Sequence, residues 1–257
     1  MVDVSVIGCG NLGGAVIKGL SNAGTYSITA CDLDEDALAA VEPYVTRTTT
    51  DISTALDASV VIVAVKPQNV SAILDDLTLG SNQTLLSFAA AVPTSLYEKH
   101  TDATVVRGMP NLAVETNMMA CAVTEGGGEA VETILQGLGE YVVVDESLMD
   151  MATALNGSGP AFVFYLIKIL RDAGIEGGFE RDDAALLAAQ TFKGAAETVL
   201  RTDESLDDLI DAVSSEGGTT IEGMEILWDS DVDEVFKDAV HAARDRSAEI
   251  TAELDHE

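Results

Sequence analysis

The spacing of apolar and polar residues changes character along this chain, and the changes divide it. Val2–Ile7 is a short apolar run that reads as a buried strand, and Leu12–Ala23 follows with a helical repeat of apolar positions. Tyr26–Cys31 reads as a second strand and Asp34–Val41 as a short helix. Ser59–Val65 is an almost unbroken β-branched run, the pattern of a central parallel strand buried on both faces. Thr84–Phe88, Thr104–Arg107, Met119–Thr124 and Tyr141–Val144 are further strand candidates, and helical segments separate most of them. Such alternation predicts an α/β fold, a doubly wound N-terminal domain over residues 1–146.

After Asp145 the strand signals stop. Helical patterns take over at Ser147–Leu155, Pro160–Ala173, Arg181–Arg201, Ser205–Ser214, Thr219–Asp229 and Val232–Leu254, punctuated by Gly177-Gly178 and Gly217-Gly218. Residues 147–257 therefore read as an all-α C-terminal domain. Ala184–Leu200 is apolar on nearly every face, which predicts a deeply buried helix. A domain of about 110 residues hardly encloses such a helix alone, so a subunit interface is expected there.

Charge sharpens the picture. Thirteen basic residues face 44 acidic ones, for a formal net charge of -31, so nucleic acid and anionic membranes are poor partners. Self-repulsion on this scale fits a protein of a salt-loaded cytoplasm, where the Debye length shrinks to about 3 Å at 1 M salt. The acidic runs Asp32–Asp36 and Asp229–Glu234 then read as solvated surface, not metal sites. Three cysteines without a CxxC pair give neither a disulfide framework nor a zinc site. The N-terminus enters a strand pattern without a basic leader, and the longest apolar run, Ala161–Ile167, is far short of the ~20 residues that span a bilayer. A cytoplasmic protein is expected.

Gly8-Cys9-Gly10-Asn11-Leu12-Gly13 sits between the first strand and the first helix. In this context Gly8 allows a tight turn, Gly10 lets backbone approach a pyrophosphate, and Gly13 permits close helix–strand packing. The helix N-terminus then faces the phosphates, which makes the domain Rossmann-like. Asp32 closes the second strand, where an acid accepts from a ribose 2′-OH and repels the 2′-phosphate of NADPH, so NADH is favoured over NADPH. Ala64-Val65-Lys66-Pro67-Gln68 leaves a central strand at the end where such sheets bind ligands, and Pro67 suits a helix start. Arg107 leaves another strand in Arg107-Gly108-Met109-Pro110-Asn111 and reads as a structural ion-pair partner or a site residue. Asn156–Phe162 places small residues before Pro160 at a helix start with free N–H groups. Val213–Thr220 joins glycines and hydroxyls ahead of a helix, a loop rich in donors for a carboxylate.

In this order and spacing, over essentially the whole chain, these motifs resemble the pyrroline-5-carboxylate reductase family. The Arg107–Asn111 element, the Gly157–Ala161 helix start and the Ser214–Thr220 loop carry most of the resemblance. It implies NAD(P)H-dependent reduction of a small molecule, 1-pyrroline-5-carboxylate, to L-proline. It also implies a helical domain that interleaves with a partner subunit in a homodimer or larger homo-oligomer, the active site lying between the two domains. By position, Gly8, Cys9, Gly10, Asn11, Leu12, Asp32, Ala64, Val65 and Lys66 would line the cofactor. Ser215, Gly218, Thr219 and Thr220 would bind substrate, with the Thr220 hydroxyl on the ring nitrogen as the catalytic contact. His100, His241 and His256 lie in no motif, in keeping with chemistry that needs little acid–base machinery.

The chain departs from the family pattern at Glu216, where proline is usual, at Leu112-Ala113 in place of Thr-Pro, and at Asp32, where many relatives carry small polar or basic residues. A β-hydroxyacid dehydrogenase shares the domain plan, but its lysine position, four residues past the last glycine of a helix start, is Val163 here. A non-catalytic dinucleotide-binding regulator is the remaining alternative, and turnover of the imine would exclude it.

Overall fold

A computed structural model describes residues 2–24 and 26–254. Eight strands form one sheet: β1 (Val2–Ile7), β2 (Tyr26–Cys31), β3 (Arg47–Thr49), β4 (Val60–Val63), β5 (Thr84–Ser87), β6 (Thr104–Met109), β7 (Met119–Val123) and β8 (Gly139–Val143). Their spatial order is β3-β2-β1-β4-β5-β6-β7-β8, parallel except where β7 runs against β6. The order reverses between β1 and β4, the topological switch point where doubly wound sheets bind ligands. The expected fold class is observed. Only β3 has no counterpart in the sequence reading: Arg47-Thr48-Thr49 is polar and three residues long, too short to show a period.

Helices α1 (Asn11–Ala23), α2 (Glu35–Val41), α3 (Ile52–Ala55), α4 (Thr94–Tyr97) and α5 (Gly128–Leu138) flank the sheet. Strand alternation divides the core between its faces. Val60 and Ile62 join Val4, Val6, Ile17 and Leu138 on one side, and Val61 and Val63 join Ile7, Val70, Leu85 and Tyr97 on the other. The expected β-branched run on β4 is thus buried on both faces.

From Glu146 the chain is helical. A 3₁₀ turn at Glu146–Leu148 leads into α6 (Met149–Ala152), then a π-turn at Thr153–Gly157, closed by the Ser158 N–H donating to the Thr153 carbonyl at 2.8 Å. Then come α7 (Gly159–Glu176), α8 (Arg181–Arg201), α9 (Leu206–Val213), α10 (Thr219–Trp228) and α11 (Val232–Leu254). The free helix start expected before Pro160 is therefore corrected: α7 is entered from a preceding helical turn, and Pro160 is its second residue. Proline has no N–H for the carbonyl four residues back, so the ladder widens into a π-turn instead of ending.

Compactness divides the chain into Met1–Ser158 with His241–Glu257, and Gly159–Val240. The expected boundary was after residue 146. Residues 149–157 cluster with the sheet because Met149 and Ala152 pack on Ala122, and because Asn156 Nδ2 donates to the carbonyls of Met109 and Ala120 at 2.6 and 3.0 Å. Asp150 accepts from Ser247 Oγ at 2.8 Å, which ties the later turns of α11 to the same unit. Within the second unit α7 and α8 pack through small residues, Gly174 facing Ala184, and Phe162 meets Phe236 edge-on with ring centroids 6.0 Å apart.

The expectation that Ala184–Leu200 is buried does not hold within the single chain. Only Ala184 and Ala188 of α8 are buried, while Leu186 is 67% and Leu200 73% exposed. No helix among the described residues is long and apolar enough to cross a membrane.

Candidate active site

The parallel register brings three strand ends together. Ile7 pairs with both Cys31 and Val63, so the chain leaves β1, β2 and β4 at one level. The Gly8 N–H donates to the Cys31 carbonyl at 2.8 Å, and the Ala64 N–H donates to the Ile7 carbonyl at 2.8 Å. Gly8–Leu12, Asp32, Ala64 and Val65 are thereby neighbours, as the sequence reading placed them. Lys66 follows, exposed, ahead of a 3₁₀ turn at Pro67–Asn69.

Each glycine of the loop has a distinct reason. Gly8 has φ +94, a backbone that side chains rarely adopt, and a Cβ there would lie 2.9 Å from Val65 Cγ1. A Cβ on Gly13 would sit 1.8 Å from the Gly8 carbonyl oxygen, so only glycine lets α1 approach β1 this closely. Gly10 is the opposite case: a Cβ would meet nothing within 4 Å. That open space lies at the N-cap of α1, where no side chain caps the helix and Gly10 and Asn11 are exposed. Uncommitted backbone N–H groups, the positive end of a helix and room in front of them fit a pyrophosphate.

Asp32 is partly buried; its Oδ2 accepts the Cys9 N–H at 2.6 Å and its Oδ1 the Asp34 N–H at 2.9 Å. Cys9 and Cys31 are buried side by side, Cys9 Sγ lying 3.6 Å from the Cys31 carbonyl. Burial first, and then the Asp32 charge, push the Cys9 thiol up to about 12 and the Cys31 thiol up to about 11. Neither is a nucleophile near neutral pH.

The Ser215–Thr220 loop belongs to the Gly159–Val240 unit. Gly218 N–H donates to the Ser215 carbonyl at 2.9 Å, and Gly217 has φ +69, so Ser215–Gly218 forms a turn with Glu216 at its first central position. Gly218 is the N-cap of α10 and provides no side-chain cap, leaving the first-turn N–H groups of Thr219 and Thr220 uncapped. Ser215, Glu216, Thr219 and Thr220 are exposed. Ser214 Oγ is buried without a partner among the described residues. The turn thus sets uncapped N–H groups and the hydroxyls of Ser215, Thr219 and Thr220 side by side at the start of α10.

Sequence reasoning missed a buried polar network at the β5 and β6 ends. Arg107 is 4% exposed, and its Nη1 faces Glu146 Oε1 at 3.4 Å. Glu146 also accepts from the Thr94 N–H at 2.8 Å and from Thr94 Oγ1 at 2.7 Å. Ser87 Oγ donates to the Tyr97 phenol oxygen at 2.9 Å, and burial pushes that phenol up to about 12. The ion-pair reading of Arg107 holds, but no spacing in the sequence names Glu146 as its partner. Asn111 and Asn156 are struts: Asn111 Oδ1 accepts from the Ala113 and Ala120 N–H groups at 3.2 and 3.4 Å. His100 lies 3.4 Å from Asp75 on the surface, and His256 lies outside the described residues.

A switch-point glycine loop with an open helix N-terminus, on a doubly wound sheet followed by a helical region, defines a dinucleotide-binding oxidoreductase fold. Comparison with known proteins narrows it. A model described as pyrroline-5-carboxylate reductase dimerisation matches residues 146–250, and one described as NADP oxidoreductase coenzyme F420-dependent matches residues 3–91. The pyrroline-5-carboxylate reductase of Methanosarcina acetivorans is 36% identical over 96% of this chain and 97% of its own length. A solved pyrroline-5-carboxylate reductase from Coxiella burnetii superposes with a TM-score of 0.88 at 30% identity, covering 97% of this chain and 98% of that one. A pyrroline carboxylate reductase of Plasmodium falciparum with NADP bound shares the fold, with a TM-score of 0.84 at 23% identity over 97% of this chain and 98% of that one. The chain belongs to the pyrroline-5-carboxylate reductase family.

Proposed function

We propose that this protein reduces 1-pyrroline-5-carboxylate to L-proline with NAD(P)H. Full-length kinship to pyrroline-5-carboxylate reductases carries the reading. The nicotinamide cofactor supplies a hydride when bound. Gly10, Asn11 and Leu12 offer it backbone donors, with Gly8, Cys9, Ala64, Val65 and Lys66 shaping the loop and the strand end beside it. Asp32, with Asp34 and Glu35 close behind it, favours the ribose hydroxyls of NADH over the 2′-phosphate of NADPH. Arg47, on β3, spends one guanidinium N–H on the Thr54 carbonyl at 3.0 Å. Ser215, Gly218 and Thr219 hold the substrate carboxylate at the start of α10, and the Thr220 hydroxyl oxygen accepts from the protonated ring nitrogen. An iminium carbon is already electrophilic, so the protein's task is to hold it about 3–3.5 Å from the hydride donor.

The region that matches the dimerisation model, residues 146–250, carries the substrate loop, and the apolar face left open on α7–α10 is covered by a second copy. The enzyme works in the cytoplasm of a salt-adapted cell, as its charge of -31 fits. The test is oxidation of NADH and of NADPH by the purified protein with pyrroline-5-carboxylate in molar KCl. Turnover with proline as product is expected, and its absence with both cofactors would overturn the reading.

A further inference from the structure

Asp32 reaches back across the chain to the glycine loop. Its carboxylate accepts the Cys9 N–H at 2.6 Å, a short charge-assisted bond, while its other oxygen is steadied by the Asp34 N–H at 2.9 Å. Cys9 stands between the first two glycines of the loop, and its side chain is turned into the core beneath β2. Neither its thiol nor its N–H is therefore free for a ligand. Gly8 is pinned by the Cys31 carbonyl, and the Gly14 N–H donates to the Gly10 carbonyl at 2.7 Å, where α1 is already formed. Between them, among the described residues, the Asp32 carboxylate is the one side-chain group bonded to the loop backbone. A Cβ on Gly10 would meet nothing within 4 Å, so no neighbouring side chain covers the loop on that side.

We propose that Asp32 is a positioning residue for the glycine loop: through the Cys9 N–H it fixes the loop in its ligand-accepting shape, independently of any contact with ribose. The proposal rests on the reading of that loop as a dinucleotide site. Removing the carboxylate leaves a buried N–H without its acceptor and frees the glycine-flanked segment. A loop that has to be ordered on binding lowers the apparent affinity by the fraction of time it is misplaced.

The test separates the loop from the ribose. Hydrogen exchange at the Cys9 amide is measured in the cofactor-free protein for wild type, Asp32→Ala and Asp32→Asn. Affinity is measured by calorimetry for NADH and for an NADH analogue lacking both hydroxyls of the adenosine ribose. Asp32→Ala should speed Cys9 exchange and weaken both compounds by about tenfold or more, the effect of losing one charge-assisted hydrogen bond. Asp32→Asn retains an acceptor oxygen, so it should recover most of the Cys9 protection and of the analogue's affinity; it also serves alone if Asp32→Ala does not fold. An Asp32→Ala protein that loses NADH but binds the analogue as wild type does would overturn the proposal, leaving a ribose contact only. The same holds for an Asp32→Asn protein whose Cys9 amide exchanges as if unbonded. Wild type that binds neither compound would instead overturn the dinucleotide reading of the loop, and the proposal with it.

Discussion

The sheet-bearing unit and the helical unit bury their apolar residues in different ways. The first closes on itself: both faces of the sheet carry clusters of side chains that are almost wholly buried, including Ile17, Leu20, Ile62, Leu85 and Leu138. Between Gly159 and Val240 the buried apolar residues are Ala184 and Ala188, whereas Phe164, Leu186, Leu200, Ile226 and Trp228 are each more than half exposed. Exposed apolar area on this scale is uncommon on a lone domain. The contrast teaches that the glycine loop stands on a finished scaffold, while the Ser215–Thr220 loop stands on one that its proposed partner copy completes.

The strongest way to break the comparison is to make the helical face unable to pair. Leu186→Asp with Leu200→Asp puts two charges on α8 where the proposed partner would bury them. Each charge costs several kcal/mol if it must be desolvated, so dimer affinity should fall by about 100-fold or more. Sedimentation should show monomer, and turnover should fall with it, while the sheet-bearing unit keeps its β-rich circular dichroism. A double variant that stays dimeric and active would show that this face is not the interface.

The next perturbation separates the two loops. Thr220→Ala should lower kcat/KM for pyrroline-5-carboxylate by about tenfold or more, the loss of one hydrogen bond to a charged group being worth roughly 1.5–3 kcal/mol. The dissociation constant of the cofactor should barely change. Weakened cofactor binding with imine kinetics intact would assign the Ser214–Thr220 loop to the wrong ligand.

The same contrast explains what could be read from the sequence. Strands such as Val60–Val63 declare themselves because burial on both faces forces an unbroken apolar run, and α8 was bounded correctly at Arg181–Arg201 from its helical repeat. What covers α8 was not legible within the chain, since an apolar helix looks alike whether its own domain or a second copy buries it. The π-turn before Pro160 was missed because proline marks a helix start and a kinked helix interior with the same letter. The Glu146–Arg107 and Asp32–Cys9 contacts join residues far apart in sequence, and only the register of the sheet brings them together.

Within the cofactor half, wild type should have a higher kcat/KM with NADH than with NADPH. Asp32→Ser should narrow the ratio by several-fold, because it removes both the acceptor for ribose and the charge that repels a phosphate. Since Asp32 also holds Cys9, both cofactors should weaken in absolute terms, NADH the more. A tenfold NADPH preference in wild type would contradict the reading of Asp32.

Salt should act on both regions alike. Acidic residues crowd α2 as they do α9 and α11, and the net charge is -31. Melting temperature should climb as KCl rises from tens of millimolar towards molar, since screening relieves self-repulsion. A gain of about 2 kcal/mol would appear as roughly 4–8 °C for a chain of this size. A melting temperature indifferent to salt would remove the salt-adapted reading and leave the fold and the site untouched.

The finest adjustment concerns the turn that precedes α10. Ser215–Gly218 is closed by the Gly218 N–H to the Ser215 carbonyl at 2.9 Å, with Gly217 at φ +69 in the second central position. That geometry favours proline in the first central position, whose φ is preset, and the closing bond does not use the N–H that proline lacks. Glu216 occupies it instead, exposed, with its charge beside a loop assigned to a carboxylate. Glu216→Pro should stabilise the fold by about 0.4–1 kcal/mol through the unfolded chain. It should also lower KM for pyrroline-5-carboxylate by a few-fold in dilute buffer, by removing a like charge, and the gain should shrink in molar KCl as the charge is screened. Glu216→Gln removes the charge and keeps the flexible backbone, so it should reproduce the salt-dependent KM effect without the stability gain. If neither variant changes KM at low salt, the Glu216 side chain points away from the bound anion, and its charge belongs with the rest of the acidic surface.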